Sequence, residues 1–191
     1  MAEEGRSITT FLDALASGDA APGGGAAAAL AGALAAACAE MVGHFTLGRP
    51  RFAAIEARTG AVVERLAAAR AELVTQMTAD ERAFAAVAAA YRLPKSTDDE
   101  RAARAAAITV ALSGAMQPPL AVMRLTNEVL GATAELGAAG NPSVASDAAC
   151  AALLGEAAVR AAAVNVRVNA ALLGETPQAG AAHDEVARLE G

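Results

Sequence analysis

Apolar runs broken by short polar or Gly/Pro punctuation divide the chain into helical segments. Ser7-Ile8-Thr9-Thr10 can cap a short helix reaching about Ser17, with Phe11, Leu12 and Leu15 on its apolar face. The turn-rich GDAAPGGG of residues 18–25 leads into a long helix over 25–47, which Gly48-Arg49-Pro50 stops. A second long helix over 52–91 ends before Pro94. Ser96-Thr97 opens the next, with Asp98, Asp99 and Glu100 in its first turn, where the helix dipole favours acids. Pro118-Pro119 kinks or interrupts that helix, and another runs over 120–136. After the turn Gly140-Asn141-Pro142, Ser143 or Ser146 starts a long helix to residue 173, and a short one covers 181–190. No repeat and no dividing linker appears. The pattern predicts an all-α chain: a single domain over residues 1–191, built as a bundle of four to five long helices plus short terminal ones.

Composition sharpens this picture. Alanine accounts for 58 of the 191 residues, and aromatics for 3% with no Trp. Alanine is the best helix former, while strands favour β-branched and aromatic side chains, so a sandwich or barrel is excluded. A core of Ala and Leu implies closely spaced helices. At 55% apolar residues, disorder is excluded as well. The net charge of −6 argues against a nucleic-acid surface, which would need a basic stripe. The polar start of residues 1–7 shows no cationic, then apolar leader, and predicts a cytoplasmic chain. Residues 25–39 are almost uninterrupted Ala, Leu and Gly but fall short of a membrane span, so no membrane is expected. Cys38 and Cys150 sit in apolar runs and are expected as small buried hydrophobes.

Candidate chemistry begins with a break in periodicity. Leu73, Met77, Phe84, Val87 and Tyr91 form one apolar stripe on the second long helix, and Asp80 lies on it, about 20° from Leu73 and about 40° from Phe84. A carboxylate on a stripe that enters the bundle is desolvated, its pKa pushed upward, and suited to proton transfer. The alternative is that the helix turns outward around Asp80-Glu81-Arg82. Glu81, about 100° further round, is expected to point off the stripe. Gly23, Gly24 and Gly25 at a helix start leave amides open to a ligand's polar edge, or serve only as a tight turn. The Gly-Lys-Ser/Thr of a phosphate loop is missing, so nucleotide binding is not supported. Asp147, Asn165 and Asn169 fall on nearly one line of the last long helix, yet Asp147 and Asn165 are about 27 Å apart along its axis and cannot serve one small site in one chain. No metal-ligand spacing appears around His44 or His183, and His44 follows Glu40 by four residues, as in a helix-face ion pair.

In order, the blocks are Phe11-Leu12-Asp13, Ala21-Pro22-Gly23-Gly24-Gly25, Met41-Val42-Gly43 with Thr46, Gly48 and Arg49, then Asp80 with Ala83-Phe84. Tyr91-Arg92-Leu93-Pro94-Lys95, Pro119-Leu120, Gly140-Asn141, Ser146-Asp147 and Asn165-Val166 with Asn169 follow. Together they resemble the formiminotransferase-cyclodeaminase C-terminal domain family, which includes stand-alone methenyltetrahydrofolate cyclohydrolases. The resemblance covers about residues 8–172 and lacks the transferase domain. It implies an all-α homodimer or higher assembly with a folate site near the subunit interface, and it places the family's catalytic aspartate on Asp80. Three positions depart from the family pattern: Leu47 and Ala163 stand where tyrosines are common, and Ala161 where a glycine is. They imply a less aromatic pocket.

The expected function is a folate one-carbon enzyme. As a cyclodeaminase it would close 5-formiminotetrahydrofolate to 5,10-methenyltetrahydrofolate with release of ammonia; as a cyclohydrolase it would interconvert the methenyl and 10-formyl forms. The tetrahydrofolate derivative is the substrate, with or without a polyglutamate tail, and no cofactor or metal is expected. Asp80 is the candidate proton carrier. Gly23, Gly24, Gly25, Asn141, Asp147, Asn165 and Asn169 are candidate substrate contacts, and Arg49, Arg92 or Lys95 the candidate partner of the glutamate carboxylates. The alternatives are a non-catalytic folate-binding or scaffold bundle, and a helical interaction module without folate.

Overall fold

Glycine, proline and small capping side chains set the helix ends. The computed structural model describes residues 7–190; the polar start over residues 1–6, on which the expectation of a cytoplasmic chain rested, lies outside the described residues. Helix α1 (Ile8–Leu15) is capped by Ser7, whose hydroxyl accepts from the Thr10 N–H at 3.1 Å. Phe11 is its buried residue, whereas Leu12 is exposed, against the expectation that it shares the inward face. Helix α2 (Gly24–Thr46) follows. Pro50 opens a 3-10 turn (Pro50–Ile55), so α3 (Glu56–Tyr91) begins four residues later than expected. The capping box of Thr97 and Glu100 starts α4 (Asp98–Ala115). Pro118 and Pro119 sit in the first turn of α5 (Gln117–Ala139), where a missing N–H costs no helical bond. A 3-10 turn (Pro142–Val144) precedes α6 (Ala145–Leu173). The last helix, α7 (Pro177–Glu190), starts four residues early because Thr176 caps it, its hydroxyl accepting from the Ala179 N–H at 3.2 Å.

Helices α2, α3, α5 and α6 pack against one another; α4 lies on α3 and α6, and α7 along α6 and α5. One apolar core joins them, with Leu66, Leu73, Met123, Val129 and Val166 among its most buried members. Small residues let the backbones close up. A Cβ at Gly43 would lie 2.3 Å from Val63 Cγ2, so α2 and α3 approach more closely than any side chain there allows. By length and composition alone α2, the α4–α5 stretch and α6 could cross a membrane, which corrects the expectation that α2 falls short. In α2, 61% of that window is buried against the other helices, so its apolarity fills the core.

A charged pair ties α2 to α3. Arg70 Nε donates to Glu40 Oε1 at 2.5 Å and Nη2 to Oε2 at 3.3 Å, with Glu40 buried and Arg70 half-exposed. Glu40 therefore pairs across the helices rather than with His44 on its own helix. Arg70→Leu should cost about 1–3 kcal/mol, because it leaves a nearly buried carboxylate without its bidentate donor. Chemical denaturation of the two proteins side by side measures it.

The outward face of α2 is apolar for most of its length. Leu34, Met41 and Phe45 are exposed, and Leu30 and Cys38 half-buried, at helical spacing with alanines between. Beside it, α6 exposes Cys150, Leu153, Val164, Val168 and Leu172. Cys150 is thus exposed and Cys38 only half-buried, correcting the expectation of two buried thiols. They lie on the outward side because Ala-rich helices are apolar on every face. Burial, then the nearby Cys150 and Asp147, pushes the Cys38 thiol above its usual range.

Candidate active site

Gly23 precedes α2 and offers no side-chain cap, leaving amides of the first turn open. The Ala21–Pro22 peptide before it is cis. The cap comes from another helix: Asp80 of α3 reaches across, and its Oδ2 accepts from the Ala26 N–H at 3.0 Å. The approach depends on Gly25. A Cβ there would lie 2.1 Å from Asp80 Oδ1 and 2.5 Å from its Cγ. Burial holds the Asp80 carboxyl above its ordinary value, outweighing the Ala26 N–H bond that favours the charged form; the neighbouring Glu81 charge adds a smaller push upward. The stripe argument therefore holds at Asp80. It fails beyond, because Phe84 is 45% exposed and Tyr91 42%. There the stripe leaves the core and lines an opening.

That opening is a cleft of about 310 Å³ between the start of α2, the middle of α3, the end of α4 and the last turns of α6. Asp80, residues 23–25, Asn165 and Asn169 all line it. Asn165 donates to the Ala161 carbonyl at 2.9 Å and packs 3.7 Å from where a Gly24 Cβ would be. Asn169 donates to the Ala115 carbonyl at 3.2 Å, closing the end of α4. Phe84, Val87, Val168 and Leu172 give the cleft apolar walls. Such a site combines a partly desolvated acid, open helix-start amides, two carboxamides and apolar faces. It suits a planar polar heterocycle whose nitrogens exchange a proton.

The sequence-predicted residues divide into two groups. Gly23, Gly24, Gly25, Asp80, Asn165 and Asn169 come together in the cleft. Arg49 and Asn141 lie at the opposite end of α2, about 30 Å from Gly25 along the axis. There Arg49 Nε donates to the Phe45 carbonyl at 2.7 Å, and Asn141 Nδ2 to the same oxygen at 2.9 Å. Asp147, in the first turn of α6, is at that end too. Arg92 and Lys95 follow the end of α3, and neither lines the cleft. Glu81 does line it, contrary to the expectation that it points away, because the cleft opens along the flank of α3 rather than over a single stripe. Leu47, Ala161 and Ala163 are not among its lining residues. Among the described residues, no three His, Cys, Asp or Glu side chains gather as metal ligands. Phe84, Val168 and Leu172 were not foreseen as site residues; their signal is exposure, which apolar periodicity does not report.

The formiminotransferase-cyclodeaminase family profile matches residues 7–188. A methenyltetrahydrofolate cyclohydrolase of Methylorubrum extorquens is 43% identical over 163 residues, covering 85% of this chain and 78% of that protein. The formimidoyltransferase-cyclodeaminase of Rattus norvegicus is 38% identical over 163 residues, and the matched segment spans 30% of its length. Among solved structures, a formiminotetrahydrofolate cyclodeaminase from Thermotoga maritima superimposes with a TM-score of 0.87 at 30% identity, over 96% of this chain and 88% of that one.

Proposed function

Because the chain belongs to the formiminotransferase-cyclodeaminase family, we propose that its cleft converts a one-carbon-loaded tetrahydrofolate at the carbon bridging N5 and N10. The leading reading is methenyltetrahydrofolate cyclohydrolase, supported by the 43% identity to a relative of that name over most of both chains. The structural likeness to a formiminotetrahydrofolate cyclodeaminase supports the second reading, ring closure with release of ammonia. The observation that carries both is Asp80, a partly buried carboxyl held at the start of α2 against Gly25.

In hydrolysis, water adds to the methenyl carbon of the cation and a proton leaves, giving a tetrahedral carbinolamine. Its C–N5 bond then breaks as N5 gains a proton and the hydroxyl loses one, leaving the 10-formyl form. In cyclodeamination N10 attacks the formimino carbon and loses its proton, and the amino group gains one before leaving as ammonia. Both routes need one group that takes and returns a proton beside these nitrogens. Asp80 fills that role because burial raises its pKa toward the working range. The amides of residues 23–25 and the Asn165 and Asn169 carboxamides orient the heterocycle's polar edge, and the apolar walls hold its faces.

We also propose that the protein works as a homodimer joined through the outward apolar faces of α2 and α6. Left bare, these two adjacent stripes would form a large exposed apolar patch, which folded monomers rarely carry.

The test is a side-by-side assay of the purified chain with methenyl- and 5-formiminotetrahydrofolate. Hydrolysis of the methenyl form is expected to be the faster reaction. Faster ammonia release would make the chain a cyclodeaminase. Tight folate binding without turnover of either substrate would establish the non-catalytic alternative.

A further inference from the structure

We propose that Cys38 of α2 and Cys150 of α6 form a dithiol site that a peroxide closes into a disulfide, stapling the two helices within one chain. Neither residue lines the cleft, and the site does not depend on the folate reading. Cys38 is half-buried and Cys150 exposed, so the pair is neither sealed in the core nor used by the mechanism above. Most of the bundle separates the two along the chain. Only the packing of α2 against α6 brings them together.

The register is fixed at the other end of this helix pair. A Cβ on Gly24 would meet the Asn165 carboxamide at 3.7 Å, so the start of α2 lies beside the last part of α6, and the two run antiparallel. Cys38 follows Gly24 by about 21 Å along α2, and Cys150 precedes Asn165 by about 22 Å along α6, so the two stand at nearly one level. At about 100° per residue, the first step falls about 40° short of whole turns and the second runs about 60° past them. On two facing helices, rotations of opposite sense tip both side chains toward the same flank of the seam. Ala35, Ala39, Ala151 and Ala158 are fully buried, and such small side chains let helix axes approach the short end of the usual range, about 8 Å. With Cα atoms on a radius of about 2.3 Å, those of Cys38 and Cys150 then lie about 5–6 Å apart, inside the roughly 4.4–6.8 Å that a disulfide spans. The electrostatics agree. Burial first, then Cys150 and Asp147 one turn before it, push the Cys38 thiol upward, so both α6 groups lie near it.

The exposed thiol reacts first. Cys150 Sγ attacks one oxygen of hydrogen peroxide, the O–O bond breaks, and the thiol proton leaves with the departing hydroxide as water, giving a sulfenic acid. Cys38 Sγ then attacks Cys150 Sγ. The S–S bond forms, the sulfenic hydroxyl departs, and the Cys38 proton joins it as a second water. Two electrons pass from the sulfurs to the peroxide, and a thiol reductant reverses the bond by exchange. In a reducing compartment such a disulfide is transient. It closes a loop of on the order of 110 residues, which restricts the unfolded chain strongly. Both thiols lie on the faces through which two copies are proposed to join, so the separated chain is the form that a peroxide reaches.

The test treats the reduced, folded chain with equimolar hydrogen peroxide in dilute solution, where subunits are apart, and then unfolds and alkylates it. Intact mass spectrometry should show the loss of two hydrogens and no alkyl group, and digestion should give one cross-linked peptide pair holding Cys38 and Cys150. The oxidised chain should run as a single chain on a non-reducing gel. Its melting temperature should rise by about 5–10 °C, the shift expected of a disulfide in a domain of this size, and fall back with dithiothreitol. Cys38→Ser and Cys150→Ser should each abolish the rise while folding as the reduced wild type does. Persistence of an alkylatable Cys38 beside an over-oxidised Cys150 would overturn the inference. So would disulfides between chains in place of the internal one, or a melting temperature unchanged or lowered by oxidation. Failure of the folate reading would be seen separately, as absence of turnover in the reduced wild-type protein.

Discussion

Asp80→Asn should lower turnover by on the order of 10²- to 10⁴-fold, the usual worth of general acid–base catalysis, while folate binding survives. The amide keeps the shape of the carboxylate, and its oxygen can still accept from the Ala26 N–H, but it cannot carry the proton between N5 or N10 and solvent. Stability should move the other way. Burial raises the folded-state pKa of Asp80 above its unfolded value, so the native chain holds this proton more tightly than the unfolded chain does. The stability tied to that proton is fully present below the ordinary carboxyl range and is lost as pH rises through the raised value. Asparagine removes this pH dependence. The variant's melting temperature should equal or exceed wild type at neutral pH, and the advantage should vanish in acid. Unchanged turnover, or a chain that no longer folds, would return Asp80 to a structural role. Glu81→Gln should act differently: with that negative charge gone Asp80 ionises more readily, so the acid limb of the pH–rate profile should shift to lower pH.

Gly25→Ala should be nearly as damaging, although it adds one methyl group at a helix start and removes no functional group. That methyl would stand 2.1 Å from Asp80 Oδ1 and 2.5 Å from Cγ, so the carboxylate must swing away and give up the Ala26 N–H. A displacement of about 1 Å in a reacting group can cost about 10²-fold, and a drop of that order in kcat is expected. The lost hydrogen bond should take about 1 kcal/mol from stability. Gly24→Ala is the matched comparison. Its methyl would meet Asn165 at 3.7 Å, an ordinary contact, so its loss of activity should be far smaller. Equal losses in the two variants would show that the glycines matter as a turn and not as a berth for Asp80.

The contrast between these neighbours shows where the sequence is readable. Helix ends were legible because Gly, Pro and capping side chains act locally; the two starts displaced by four residues, those of α3 and α7, fall where Pro50 opens a 3-10 turn and where Thr176 caps ahead of Pro177. Asp80 was legible as a polar residue on an apolar stripe, and Asn165 and Asn169 as amides on a mostly apolar helix. The outward faces were not legible. Along α2 and α6 alanine, leucine and valine occupy every side, so periodicity cannot say which side meets the core, and Cys150, Leu153 and Val168 read like buried residues. Nor could spacing along one helix reveal that Arg49 and Asn141 meet at one end of α2 while Asp80 and Asn165 meet at the other. That division depends on α2 and α6 running antiparallel, a tertiary fact.

In the proposed mechanism Asp80 is both the proton carrier and the cap of α2, and this joins two equilibria. The positive pole at the start of α2 can be satisfied by the ionised carboxylate or by electron-rich atoms of a ligand resting on the amides of residues 23–25. Ligand and carboxylate charge therefore compete for one pole. By reciprocity, a ligand that occupies it favours protonated Asp80, and protonated Asp80 favours that ligand, each by the same free energy. In the proposed reaction, arrival of the substrate itself thus primes the acid.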